Sequence, residues 1–112
     1  MHEIGMLYSA AETAVCYADR YDMSEVKFIA LELGELAGVL PEVFTQYFDY
    51  VKQQFPKLAK AELQMKMIPG EGLCSECGCM YNVMRNEGKC PCCASREKKV
   101  LSGRDVRLIS IA

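Results

Sequence analysis

The residues best placed to do chemistry in this sequence are its cysteines. Seven occur in 112 residues, and six of them lie between Cys74 and Cys93. Cys74-Ser75-Glu76-Cys77 and Cys90-Pro91-Cys92-Cys93 form two C-x-x-C pairs separated by twelve residues, the spacing of a ribbon-type tetrathiolate site. In each pair a tight turn lets two sulfurs converge on one ion, and twelve residues suffice for a short hairpin such as Met80 to Met84 with its return. Four thiolates at about 2.3 Å close a tetrahedron around zinc and leave no open position for a substrate, so the site is expected to be structural. The spacing favours Cys74, Cys77, Cys90 and Cys93 as ligands over Cys79 and Cys92, which could compete for the ion. Cys79 and Cys92 share the same loops and read as ordinary, partly buried thiols, and Cys16 reads as a small core residue on the apolar side of a helix.

A second candidate site is the N-terminus, where His2, the only histidine of the chain, follows Met1 and precedes Glu3. By itself a histidine near a chain end is an unspecific feature. Its chelate chemistry sharpens it: the terminal amine, the main-chain nitrogen of His2 and the imidazole Nδ1 close fused five- and six-membered rings with three nitrogens in one plane. Planar nitrogen donors suit Ni(II) and Cu(II), whereas zinc prefers a tetrahedron. Glu3 can add a further amide nitrogen or a carboxylate, and a large residue at position two is expected to protect Met1 from removal. An ion meant for transfer suits such an exposed end, where donors exchange stepwise with a partner. Catalysis has little support, because no serine or cysteine nucleophile has a histidine base other than His2 and no phosphate loop is present.

The elements that must position these groups follow from periodicity. Ile4, Leu7, Tyr8, Ala11, Ala14, Val15 and Ala18 recur at three- and four-residue intervals and predict one amphipathic helix over residues 4–20. Val26 to Gly34 reads as a largely buried strand, with Ile29, Leu31 and Leu33 on one face. Pro41 suits a first helical turn, and Val43, Phe44, Tyr47, Phe48, Val51 and Phe55 keep a helical period until Pro56. Leu63, Met65 and Met67 predict a strand buried on one face that ends at Pro69-Gly70. Asp105 to Ala112 alternates more loosely and reads as the strand that closes the sheet. The stretch from about Glu71 to Lys99 has few aliphatic residues, and a module below roughly 40 residues cannot be held by hydrophobic burial alone, so it needs a metal or disulfides. The expected architecture is α+β: two helices on a three-stranded sheet built from residues 1–70 and completed by 100–112, with residues 71–99 inserted as a zinc-ribbon-like module.

Composition narrows the alternatives. Hydrophobic residues at 51% and charged residues at 25% exclude disordered and collagen-like classes. The net charge of −2 from 13 basic and 15 acidic side chains gives no basic stripe for a phosphate backbone or an anionic membrane. No apolar stretch approaches the roughly 20 residues of a membrane span and no leader pattern is evident, so a cytoplasmic protein is expected. Two other readings stand beside a metal carrier. A zinc-ribbon module binding protein or nucleic acid is disfavoured by charge, since only Lys89, Arg96, Lys98 and Lys99 approach a basic patch. A small electron carrier stays open, because Cys74 to Gly78 and the later Cys-Pro-x-Cys are similar to rubredoxin loops, although Tyr81 is the module's single aromatic.

Met1-His2-Glu3, the amphipathic helix, Gly34-Glu35-Leu36 followed by Pro41, and the two cysteine pairs together give a resemblance that covers essentially the whole chain. The sequence resembles the HypA/HybF family of hydrogenase nickel-incorporation proteins. The resemblance implies a nonenzymatic metallochaperone with a nickel domain, an inserted zinc domain, and Ni(II) held by His2 with main-chain nitrogens of Met1, His2 and Glu3. It implies as partners the accessory GTPase HypB and the large subunit of a nickel–iron hydrogenase, and in some organisms urease maturation, for a monomer or weak homodimer. Two departures stand out: Phe55 to Ala61 lacks the glycine-acidic stretch expected there, and Cys79 and Cys92 are additional to the pattern.

Overall fold

The computed structural model describes residues 2–112, and of His2 its main chain alone. The donors expected at Met1 and at the His2 imidazole therefore lie outside the described residues. Helix α1 runs His2–Arg20 and α2 runs Pro41–Val51. Strands β1 (Phe28–Gly34), β2 (Glu62–Ile68) and β6 (Val106–Ile111) make one sheet; β3 (Glu71–Cys74), β4 (Met80–Asn82) and β5 (Lys98–Val100) make a second. The molecule measures 54 × 25 × 17 Å.

In the first sheet the order is β2-β1-β6, with β1 parallel to β2 and antiparallel to β6. A parallel pair needs a crossover, and α2 lies within it. Ile29, Leu31 and Leu33 are buried on the face that meets Leu7, Ala11, Ala14 and Ala18 of α1 and Phe44, Phe48 and Val51 of α2. Small alanines along one stripe of α1 let helix and sheet approach closely. Leu63 and Met65 extend the same layer from β2, whereas Met67, near the strand end, is exposed.

The loose alternation of the last strand has a geometric cause. Leu31 pairs with Leu108 but Ala30 pairs with Ser110, so Ile109 is an extra residue in a β-bulge. The bulge resets the phase: Val106, Leu108 and Ile111 all pack on the core, and Ile109 is left 48% exposed.

Three expectations from the sequence need correction. The first strand begins at Phe28, two residues after Val26. Helix α2 ends at Val51 and passes into one 3-10 turn, Lys52–Gln54, before Phe55 adopts an extended backbone at φ −129. Phe55 precedes Pro56, and the proline ring crowds a helical conformation at the residue before it. Pro56–Leu58 forms another 3-10 turn, which buries Leu58 and brings Lys57 Nζ onto Asp19. Cys16 is exposed, not in the core. At 100° per residue it stands about 200° from both Ala14 and Ala18, on the opposite side of the helix.

The two sheets meet where the chain passes between them at Pro69–Glu71 and Leu101–Arg104. The Leu36 amide donates to Gly103 O (2.8 Å), Leu101 N to Glu71 O (2.8 Å), and Ser102 Oγ to Pro69 O (2.9 Å). Backbone lies on backbone here: a Cβ on Gly34 would overlap the Gly103 carbonyl, and Gly103, at φ +79, would place one 2.5 Å from Pro69 O. Only glycine meets both demands at Gly103. Glu35 closes the junction, its Oε1 accepting from Gly70 N (3.0 Å) and from Asn82 Nδ2 (3.1 Å) of β4. The Gly70 bond, then that from Asn82, outweighs burial and holds the Glu35 carboxyl below its usual range.

Phe44, with 0% exposure, is the largest fully buried side chain of the core. Phe44→Ala is expected to lower the unfolding free energy by about 3–5 kcal/mol, while Cys16→Ser on the open face of α1 stays within about 0.5 kcal/mol; denaturant titrations followed by far-UV circular dichroism check both.

Candidate metal centre

The second sheet carries the cysteines. Strand β3 is central, antiparallel to both β4 and β5. Met80–Asn82 therefore pairs back onto Glu71–Leu73, and the hairpin expected between the two C-x-x-C pairs does not form. After Asn82 the chain makes turns to Cys90, with Asn82 Oδ1 accepting from Arg85 N at 2.9 Å and Gly88 N reaching Val83 O at 2.9 Å.

The two cysteine loops are built alike. In the first, Gly78 N donates to Cys74 O (3.0 Å) and Cys74 N to Cys79 O (2.9 Å). In the second, Ala94 N donates to Cys90 O (2.8 Å) and Cys90 N to Ser95 O (2.9 Å). Gly78 and Ala94 hold the equivalent left-handed turn, at φ 76 and φ 64. Each loop thus points two sulfurs to one side and aims free amides at them.

All four sulfurs, of Cys74, Cys77, Cys90 and Cys93, lie within 4.8 Å of one another. Cys74 approaches Cys93 at 3.5 Å and Cys77 approaches Cys90 at 3.5 Å. A tetrahedron with legs of about 2.3 Å has edges of about 3.8 Å, so the cluster has the dimensions that a tetrathiolate zinc ion requires. Cys74 and Cys90 are each 2% exposed and form the module's small core with Tyr81, flanked by Val83 and Cys79. The donor set is four sulfurs with no oxygen or imidazole, which fits zinc and excludes hard cations.

Protons are shared unequally within the cluster. Burial pushes the Cys90 thiol up, but the N–H groups of Cys93 and Cys92, with bonds from Cys77 and Cys74, outweigh it and bring it to about 6. Cys74 is also lowered, first by the Cys77 N–H. For Cys77 the Cys79 N–H pulls down, yet the bond with Cys90, burial and the remaining sulfurs push it up to about 12. Cys93 is raised, its bond with Cys74 and burial outweighing the Ser95 N–H. Each 3.5 Å pair thus joins a thiol held below its ordinary range with one pushed above it, and an entering cation displaces whatever protons the four sulfurs hold.

Cys79 and Cys92, read from sequence as ordinary partly buried thiols in the metal loops, come together with their sulfurs 2.7 Å apart; Cys79 is half-buried and Cys92 exposed. Sequence reasoning also assigned no role to Glu35 beyond its place in a motif. Its signal was hidden, because both partners, Gly70 and Asn82, are distant in the chain. The first half of α1 faces the junction between the sheets: Met6, Ser9, Ala10 and Thr13 line an open groove of about 570 Å3 with Leu36, Arg104 and Asp105. No helix among the described residues is long and apolar enough to cross a membrane.

Comparison with known proteins agrees with this architecture. All of residues 1–112 match the family described as hydrogenase/urease nickel incorporation, metallochaperone, hypA. A hydrogenase maturation factor HypA of Parabacteroides distasonis is 33% identical over 111 residues, covering 99% of this chain and 96% of that protein. One from Alkalilimnicola ehrlichii is 33% identical over 109 residues, covering 96% and 95%. The fold is that of the Ni metallochaperone HypA from Helicobacter pylori in solution, at TM-score 0.71 and 18% identity, covering 97% and 94% of the two chains.

Replacing Cys74 or Cys93 by serine is expected to drop zinc content from about one ion per chain to near zero and to unfold residues 71–101. Metal analysis and amide hydrogen exchange read the two effects, with the first sheet keeping its protection.

Proposed function

The chain belongs to the HypA family of hydrogenase and urease nickel-incorporation metallochaperones, and from that premise we propose that it carries Ni(II) as cargo to the large subunit of a nickel–iron hydrogenase under assembly. The match of residues 1–112 to the family carries this reading. In it, residues 1–70 with 100–112 bind nickel, and residues 71–99 form an inserted zinc domain whose ligands are Cys74, Cys77, Cys90 and Cys93. The protein works in the cytoplasm, is not itself an enzyme, and leaves GTP hydrolysis to the partner GTPase HypB.

The nickel site consists of the His2 imidazole with main-chain nitrogens of Met1, His2 and Glu3. The start of α1 at His2 supports it. The first amides of a helix have no carbonyl partner within it, so the nitrogens of His2 and Glu3 are free of helical hydrogen bonds and available to a cation. Farther along the same helix, Met6, Ser9, Ala10 and Thr13 line a groove with Leu36 and Arg104 at the sheet junction. Cargo held at a chain end exchanges donors one at a time, whereas four sulfurs in a closed tetrahedron release their ion slowly.

His2→Ala is expected to abolish nickel binding while zinc content and melting temperature stay unchanged. Nickel titration of the zinc-loaded protein, read by the absorbance of planar Ni(II), checks this; undiminished affinity in the variant rejects the site.

The two metals should also part company with pH. Nickel must displace the protons of an amine, ordinarily at about 7.7–8.0, an imidazole, ordinarily at about 6.5, and at least one main-chain amide. All three lose protons only as pH rises, so nickel affinity falls steeply on acidification. The zinc thiolates must also lose protons to bind, but four of them act together in a closed site whose metal binding also supplies the module's folding energy. Nickel is expected to leave between pH 7 and 6 with zinc still held; metal analysis after dialysis across pH 5 to 8 checks this, and joint release at one pH contradicts it.

A further inference from the structure

The close pair Cys79 and Cys92 has no part in the four-sulfur cluster and needs its own explanation. Their sulfurs stand 2.7 Å apart, with Cys90 the third sulfur within 4.8 Å of both. A second thiolate metal site is the first possibility, and the distance rejects it. Two ligands at about 2.3 Å from one ion and 2.7 Å from each other would subtend about 70°, far from the roughly 109° of a tetrahedron. The ligand pairs of the main cluster, at 3.5 Å, show no such crowding. A disulfide needs about 2.05 Å, so the pair lies well inside metal spacing and a fraction of an ångström from bonding distance.

We propose that Cys79 and Cys92 form a reversible disulfide that staples the two metal loops together while leaving all four metal-facing sulfurs untouched. The oxidant is a low-molecular-weight disulfide. Cys92, the exposed member, loses its proton and attacks one sulfur of that disulfide, forming a mixed disulfide and expelling one thiolate. Cys79, half-buried at 2.7 Å, then loses its proton and attacks the Cys92 sulfur, expelling the second. Two protein thiols give up two electrons and two protons; the small disulfide becomes two thiols, and added dithiol reverses the exchange.

Position in the fold sets the consequence. Cys79 follows the turn at Gly78 in the first loop, and Cys92 lies between Cys90 and Cys93 in the second. A bond between them ties together the two segments that must separate for a held ion to leave. Oxidation thereby slows metal release, and the spare pair reacts before the ligands do. The effect on metal rests on the zinc reading above; the disulfide itself does not.

The test treats the zinc-loaded full chain with oxidised glutathione, without denaturant, and follows intact mass, the cross-linked cysteines by tandem mass spectrometry, zinc content, and zinc transfer to a chromogenic chelator. The proposal expects loss of two hydrogens, a Cys79–Cys92 link, one zinc retained and severalfold slower transfer. Cys79→Ser should trap glutathione on Cys92, Cys92→Ser should remain reduced, and both should keep zinc before oxidation, which shows that they fold. A Cys79–Cys92 link in a protein that never held zinc would support the pair and reject the zinc reading. A link drawn from Cys74, Cys77, Cys90 or Cys93, no link at all, or a second equivalent of thiophilic cation lost in either serine variant would overturn the proposal.

Discussion

The convergence of four sulfurs is the interaction on which the second half of this molecule depends. Between Glu71 and Leu101 the buried side chains are Cys74, Cys90 and Tyr81, with Val83 and Cys79 packed beside them. So little apolar surface cannot offset the conformational entropy of ordering about thirty residues. Cross-linking through a common ion can, because binding energy at such a site is folding energy. The two like-built loops, with their amides directed inward, are the local structure that makes the convergence possible.

The other half is held by different physics. There β1 is buried between two strands and under two helices, and its register decides which residues of β2 and β6 face the core. This half folds as an ordinary apolar layer, and its role toward the metal module is to fix the two chain crossings, at Gly70 and Gly103, beside Gly34 of β1. Those crossings lie so close that side chains are excluded. The Glu35 carboxylate then bridges the units by bonds to Gly70 and Asn82. Its depressed pKa means that this tie is complete above the ordinary carboxylate range and is lost as pH falls through the lowered value.

These two modes of stabilisation suit two treatments of metal. A closed sulfur tetrahedron in a module with so small an apolar core is costly to open and acts as a permanent part of the fold. In the proposed nickel site, an ion held at the start of α1 departs at no cost to the core. The division follows from where binding energy is spent: on folding in one case, on the ion alone in the other.

Much of this was legible in the residues themselves. The cysteine spacing identified the four sulfurs that converge, because a C-x-x-C turn is local chemistry. The period of Leu7 to Ala18 and of Phe44 to Val51 located both helices, because helical burial repeats within a few residues. Where chain neighbours or register compete, the sequence was silent or misleading. Cys16 sat among apolar residues but points to water, Ile109 was displaced by a bulge, and Met80–Asn82 paired backward onto β3 instead of forward. Glu35 and the Cys79–Cys92 contact depend on residues 13 to 47 positions apart. Local pattern determined which residues form helices, strands and metal loops; which thiols meet and which carboxylate ties the units together was decided only by tertiary packing, because those contacts arise from the relative placement of loops that no short-range periodicity encodes.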